Sequence, residues 1–180
     1  MINVVQNYLE EEVLAAIMQK YTDSRGKPAF EINNMGRWGK GLDAGSYAPV
    51  FVLPLNEYAG YFLEKYKKLD PVFEQFEQVT CFMHIWPPGS QIGWHHDADD
   101  TGAVTRIGST IYLNESWNWN WGGLFIYDDP DIRQGWVFPE RNKMVWFVPP
   151  VWHATTMIAS HAEFPRLSIQ LFFTKFNNGS

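Results

Sequence analysis

After residue 78 the sequence breaks into short β-type runs with no helical stretch between them. The runs are Val79–Trp86, Thr105–Leu113, Gly123–Tyr127, Gly135–Phe138, Lys143–Val148, His153–Ala159 and Arg166–Lys175, punctuated by Gly, Pro and Asn. Short strands at such intervals, with nothing helical to cross between them, point to an antiparallel sandwich or barrel. The first 78 residues read differently. Residues 8–21 carry Leu9, Val13, Leu14, Ile17 and Met18 at helical spacing, with Glu10, Glu11 and Glu12 favouring the N-terminal end. Residues 56–69 repeat the pattern with Tyr58, Phe62, Tyr66 and Leu69. A third short helix is expected after Asp70-Pro71, because Asp caps well and Pro suits the first helical position. The expectation is one domain over 1–180, mainly β with flanking helices (α+β). A helical N-terminal support region (1–78) packs on a jelly roll (79–176).

Composition allows such a core. Hydrophobic residues make up 46% of the 180 residues and charged ones 19%, which argues for burial and against disorder. The formal net charge of −6 has the wrong sign for a nucleic-acid partner. Only Lys65, Lys67 and Lys68 cluster, and a solvated helix face accounts for them. Cys81 is the single cysteine, so no internal disulfide can form. No stretch approaches the length of a membrane span. These features set the expectation of a soluble, cytoplasmic protein with no nucleic-acid and no membrane partner.

The segment Gly93-Trp94-His95-His96-Asp97 carries the chemistry. In a strand, residues i and i+2 point to one face, so His95 and Asp97 can converge on one metal ion. His153, at the start of a predicted strand after Pro149-Pro150, is the best second histidine. Two histidines and one carboxylate leave open coordination positions, the arrangement of non-haem Fe(II) oxygenases. His-x-Asp alone is a weak signal. His153 by itself reads more readily as a hydrogen-bonded structural histidine than as a ligand, and His84, His96 and His161 read as strand, packing and loop residues. Arg166 and Ser168 share one face of the last run, while Leu167, Ile169, Leu171 and Phe173 form the apolar other face. A guanidinium on a strand binds carboxylates in bidentate fashion. An edge arginine paired with Glu163 is the competing reading. Tyr112 shares a face with Thr110 and Arg106, and could assist with the same carboxylate or serve only as a core aromatic.

Together these residues resemble the 2-oxoglutarate oxygenase superfamily, most closely its prolyl 4-hydroxylase-like branch. The resemblance is carried by His95-His96-Asp97, Thr110-Ile111-Tyr112-Leu113-Asn114, Gly122-Gly123-Leu124, Met144–Val148 leading to His153, and Arg166, over roughly residues 79–175. It implies a double-stranded β-helix, a cupin-like jelly roll. It implies Fe(II) on His95, Asp97 and His153. It also implies 2-oxoglutarate on Arg166, with Tyr112 and Ser168 assisting. Many members of the branch carry Lys where Arg166 stands, so this chain is like those that use Arg. The implied reaction consumes O₂ and 2-oxoglutarate, releases succinate and CO₂ and hydroxylates a C–H bond, with ascorbate as an accessory reductant. Asp97 argues for hydroxylation, since related halogenases lack that carboxylate. Nucleic-acid repair members carry a second arginine on the last strand, which this chain lacks.

A prolyl or other side chain of a peptide or protein is the expected substrate, and a free amino acid or other small molecule is the alternative. Two readings of other classes compete: a cupin-like metal- or sugar-binding protein without oxygen chemistry, and a non-enzymatic interaction module. Trp117-Asn118-Trp119-Asn120-Trp121, if extended, puts three indoles on one face, either as a substrate platform or packed on the body.

Overall fold

The computed structural model describes residues 2–24, 31–34, 49–97, 104–131 and 133–176. Eleven strands are present among these residues: β1 (Ile2–Val5), β2 (Glu31–Asn34), β3 (Pro49–Pro54), β4 (Gln78–Trp86), β5 (Ile92–His95), β6 (Val104–Tyr112), β7 (Phe125–Asp129), β8 (Arg133–Val137), β9 (Met144–Phe147), β10 (Trp152–Thr155) and β11 (Arg166–Phe176). Two helices accompany them, α1 (Glu11–Ser24) and α2 (Ala59–Leu69). A seven-stranded sheet runs β1-β9-β6-β11-β4-β3-β2, and a four-stranded sheet runs β5-β10-β7-β8. Every neighbouring pair is antiparallel. This is the jelly roll expected from the sequence.

Strand alternation decides what each face of the large sheet does. Leu167, Ile169, Leu171 and Phe173 of β11 face away from the small sheet. They are buried with Cys81, Met83 and Ile85 of β4 and Ile107 and Ile111 of β6. Leu14 and Ile17 of α1 and Phe62 and Tyr66 of α2 close this core. Aromatic contacts concentrate there, with Phe173 4.6 Å from Tyr66 and 4.8 Å from Phe73 between ring centroids. Each such fully buried side chain contributes roughly 1.5–3 kcal/mol by leaving water. The Tyr66 hydroxyl is 2.6 Å from Ser109 Oγ, which in turn donates to the Val145 carbonyl at 2.9 Å. That chain of bonds ties α2 to two strands. The other face of the large sheet is turned inward, towards the small sheet.

The N-terminal region differs from a purely helical support. It supplies β1 at one edge of the large sheet and β3 and β2 at the other. These short strands owe their form to distant partners, β9 for β1 and β4 for β3, which local periodicity does not reveal. The first helix begins at Glu11 rather than at residue 8. Tyr8 and Leu9 lie ahead of the helix and are held by Asn142: it accepts from the Leu9 amide and donates to its carbonyl, both at 2.8 Å, and the Tyr8 amide donates to the Asn142 carbonyl at 3.1 Å. The element after Asp70 is a 3-10 turn, Pro71–Gln75, whose Val72 amide donates to Asp70 Oδ1 at 2.8 Å. The predicted strand His153–Ala159 stops at Thr155, and Ile158 makes only an isolated bridge to Gly122.

Candidate active site

Antiparallel pairing of β5 with β10 sets His95 directly opposite His153. Their ring centroids are 4.2 Å apart. Asp97 follows β5 and reaches both, with Oδ1 3.7 Å from His95 Nε2 and Oδ2 3.7 Å from His153 Nε2. One ligand atom from each of the three residues falls within 4.8 Å of the others. Each imidazole is oriented by its own backbone. His95 Nδ1 is 2.8 Å from the Gly93 carbonyl and His153 Nδ1 is 3.0 Å from the Val151 carbonyl. A carbonyl only accepts, so Nδ1 carries the proton and Nε2 presents a lone pair towards Asp97. Burial holds His153 at a pKa of about 4 despite the opposing Asp97 charge, so it is neutral at pH 7. The donor set, tautomers and charge fit a divalent cation such as Fe(II).

Gly108 of β6 makes room for this cluster. A Cβ there would lie 2.7 Å from Asp97 Oδ2 and 3.1 Å from Phe147 Cζ. The carboxylate thus rests directly against the β6 backbone.

The cavity beside the triad ends at Arg166, which is 2% exposed. Its guanidinium carbon lies 4.9 Å from the Tyr112 ring centroid and 5.5 Å from that of Trp86. Arg166 Nε and the Tyr112 hydroxyl are both buried without a hydrogen-bond partner. Glu163 is exposed and makes no ion pair with Arg166 among the described residues, which removes the edge-pair reading. Burial lowers the Arg166 pKa and raises that of Tyr112, each partly offset by the other group. A buried guanidinium without an anion is costly, by several kcal/mol or so. A guanidinium so placed has the chemistry to bind a carboxylate. Ser168 pairs with Tyr112 on one side and His84 on the other. Gly123, at φ 67°, packs behind Arg166, where a Cβ would come within 3.0 Å of its Cδ.

His84 is the residue that sequence reasoning set aside and the structure brings in. It shares the inward face of β4 with Trp86 and lines the cavity beside Arg166. Burial, helped by the Arg166 charge, holds its pKa at about 3. Its period-2 relation to Trp86 was the available signal. His96 packs edge-on against Trp152, with centroids 4.9 Å apart, and His161 is exposed in a turn. The tryptophan segment is not extended, since Trp119–Trp121 forms a 3-10 turn. Trp117 and Trp121 go inward, while Trp119 is 60% exposed and stacks on Phe138 at 3.9 Å. The three indoles do not share one face.

A family model described as the 2OG-Fe(II) oxygenase superfamily matches residues 78–174. No curated protein matches the chain. Among solved structures, a Pseudomonas putida prolyl-4-hydroxylase is similar with a TM-score of 0.75 and 18% identity, over 99% of this chain and 93% of that one. A Trichoplax adhaerens prolyl hydroxylase, in complex with a hypoxia inducible factor peptide fragment, gives 0.75 and 14%, over 96% and 82%. A Burkholderia pseudomallei 2OG-Fe(II) oxygenase family oxidoreductase gives 0.69 and 15%, over 99% and 87%. At these identities the structures speak for a shared fold. The family match speaks for the chemistry, and decides against a cupin-like binder or a non-enzymatic module. This chain, matched over more than half its length, belongs to the 2OG-Fe(II) oxygenase superfamily and is a dioxygenase with the fold of the prolyl 4-hydroxylases.

Proposed function

We propose that the chain binds Fe(II) through His95, Asp97 and His153, anchors 2-oxoglutarate on Arg166, and hydroxylates a C–H bond of a prolyl or other side chain in a peptide or protein. One observation carries this reading. A His-Asp-His cluster and a buried arginine with no ion pair among the described residues line a single cavity. When bound, iron supplies the oxygen chemistry. One O₂ oxygen ends in succinate and the other in the hydroxylated product, while 2-oxoglutarate loses CO₂.

The chain's own residues orient and shield. Gly93 and Val151 fix the two tautomers through their carbonyls. Arg166 neutralises the cosubstrate's far carboxylate, with Tyr112 and Ser168 as hydroxyl donors beside it. Trp86, Phe125 and Phe147 supply apolar wall to the cavity beside these polar groups. The likeness to prolyl hydroxylases, one of them holding a peptide, supports a peptidyl substrate. A free amino acid is the second reading, favoured by Arg106 as described below. Ascorbate as reductant and a cytoplasmic setting accompany the proposal.

The test is turnover by alanine variants of His95, Asp97 and His153. Succinate release should vanish in each while the circular dichroism spectrum persists. Full activity in His153→Ala would break the triad.

A further inference from the structure

We propose that Arg106 binds a carboxylate of the substrate, so that the oxidised compound carries a negative charge close to the reacting carbon. This deepens the function proposed above and rests on it.

The argument begins with strand register. Arg106, Gly108, Thr110 and Tyr112 alternate onto the inward face of β6, opposite Thr174, Phe172, Gln170 and Ser168 of β11. Each position has a task or a contact. Tyr112 stands at the closed end beside Arg166. Thr110 donates to Gln170 at 2.8 Å. Gly108 receives Asp97. Arg106 is the next inward residue beyond the metal cluster, on the side away from Arg166.

Burial shows that this side is the mouth. Trp86 and His84 are buried on β4, Phe82 is partly buried and Thr80 is exposed. On β11, Arg166 and Ser168 are buried, whereas Gln170, Phe172 and Thr174 are partly open. Arg106 belongs to the open end. Its guanidinium carbon lies 5.7 Å from the ring centroid of Phe172, which itself lines the metal cavity. Its Nε is buried and has no hydrogen-bond partner, and it makes no ion pair among the described residues.

Two arginines therefore bracket the triad. Arg166 is sealed at the floor and takes the cosubstrate. Arg106, with no ion pair among the described residues, stands on the open side. A planar guanidinium presents a fork of donors that a carboxylate accepts in bidentate fashion. Strand rise puts Arg106 about 7 Å from Gly108, where Asp97 rests. A carboxylate held there stands within about one residue's length of the metal ligands. A free amino acid meets that condition, and so does a peptide whose acidic side chain adjoins the target residue.

The experiment compares carboxylates with neutral counterparts. The twenty free L-amino acids are offered beside their amides, and Ac-Ala-Pro-Asp-Ala-NH₂ beside Ac-Ala-Pro-Asn-Ala-NH₂. Fe(II), 2-oxoglutarate and ascorbate are present, and mass spectrometry reads the gain of one oxygen atom. Oxidation confined to carboxylate members supports the proposal, and the arm that reacts tells a free amino acid from an acidic peptide. Arg106→Gln should then raise KM for that compound by about 10- to 100-fold, and Arg106→Lys by less. The affinity of each variant for 2-oxoglutarate, titrated calorimetrically with Mn(II) in place of iron, should stay within about twofold of the wild type. This also shows that the variants fold. Oxidation of none of the carboxylate compounds, equal oxidation of acid and amide, or an unchanged KM in Arg106→Gln overturns the role of Arg106 alone. Failure of the wild type to bind 2-oxoglutarate overturns the function itself, and this proposal with it.

Discussion

Gly108→Ala is a one-methyl test of the metal site. The added Cβ would sit 2.7 Å from Asp97 Oδ2, where an ordinary contact needs about 3.4 Å or more. Phe147 Cζ at 3.1 Å leaves little room for escape on the other side. The ring and the carboxylate must together give way by roughly 0.7 Å. Without metal the carboxylate can swing aside, at a cost on the order of 1 kcal/mol. With metal it cannot, because productive geometry tolerates displacements of only about 0.5 Å. The variant should therefore melt within a few degrees of the wild type in EDTA. Its affinity for Mn(II) or Fe(II), measured by anaerobic calorimetry, should fall by about 10- to 100-fold, as for other disturbed metal supports. A metal affinity equal to that of the wild type would refute the reasoning, for either Asp97 is not a ligand or it does not rest on β6. A collapsed melting temperature would point to Phe147 as the main obstacle instead.

Other expectations follow from the same cavity and its surroundings. Arg166→Ala should raise the apparent KM for 2-oxoglutarate by roughly two to three decades, and steady-state kinetics in which it did not would remove the anchor. His84 is neutral when folded, with its pKa held at about 3 by burial and by Arg166, against about 6.5 unfolded. The unfolded chain thus binds the extra proton below pH 6.5. Stability from this group is complete above that pH and falls by about 1.4 kcal/mol per unit as pH drops towards 3. Urea titrations at pH 7, 6 and 5 in EDTA should show a shallower slope in His84→Asn, and equal slopes would sink the assignment. Buried Cys81, its thiol pushed up to about 12 by desolvation, should resist a maleimide until denaturant is added, and prompt labelling of the folded protein would contradict its burial.

The strands after residue 78 were legible because each alternates cleanly and ends at a turn residue. Leu167, Ile169, Leu171 and Phe173 mark one face of β11, and the structure packs them as that pattern requires. The strands β1, β2 and β3 were not legible. They are short, and pairing across the fold decides them rather than local alternation. The start of α1 was misplaced because Leu9 fits a helical stripe, and nothing near it in sequence announces the bonds from Asn142. The three proposed ligands were legible as a pattern, and the structure gathers them. The tautomers were not, since they depend on the Gly93 and Val151 carbonyls. His84 carried a signal in the face it shares with Trp86, but neither its place beside Arg166 nor the contact of Gly108 with Asp97 is local. Their meaning lies in what crosses to them from another strand, and β6 and β4 read the same without it. The tryptophan segment misled because alternation in sequence shares a face only when the backbone is extended, and this one turns.

The place of β1 at the rim of the large sheet has a practical side. It covers β9, whose four residues Met144, Val145, Trp146 and Phe147 are all buried. Its own four residues make a short rim, with little backbone to offer a neighbouring molecule. Trimming the first nine residues would strip that cover together with the Leu9 bonds to Asn142, baring an oily strand two places from β11. Such a shortened protein should be prone to clumping on expression, so affinity tags intended for removal are better attached ahead of an intact Ile2–Val5 than substituted for it.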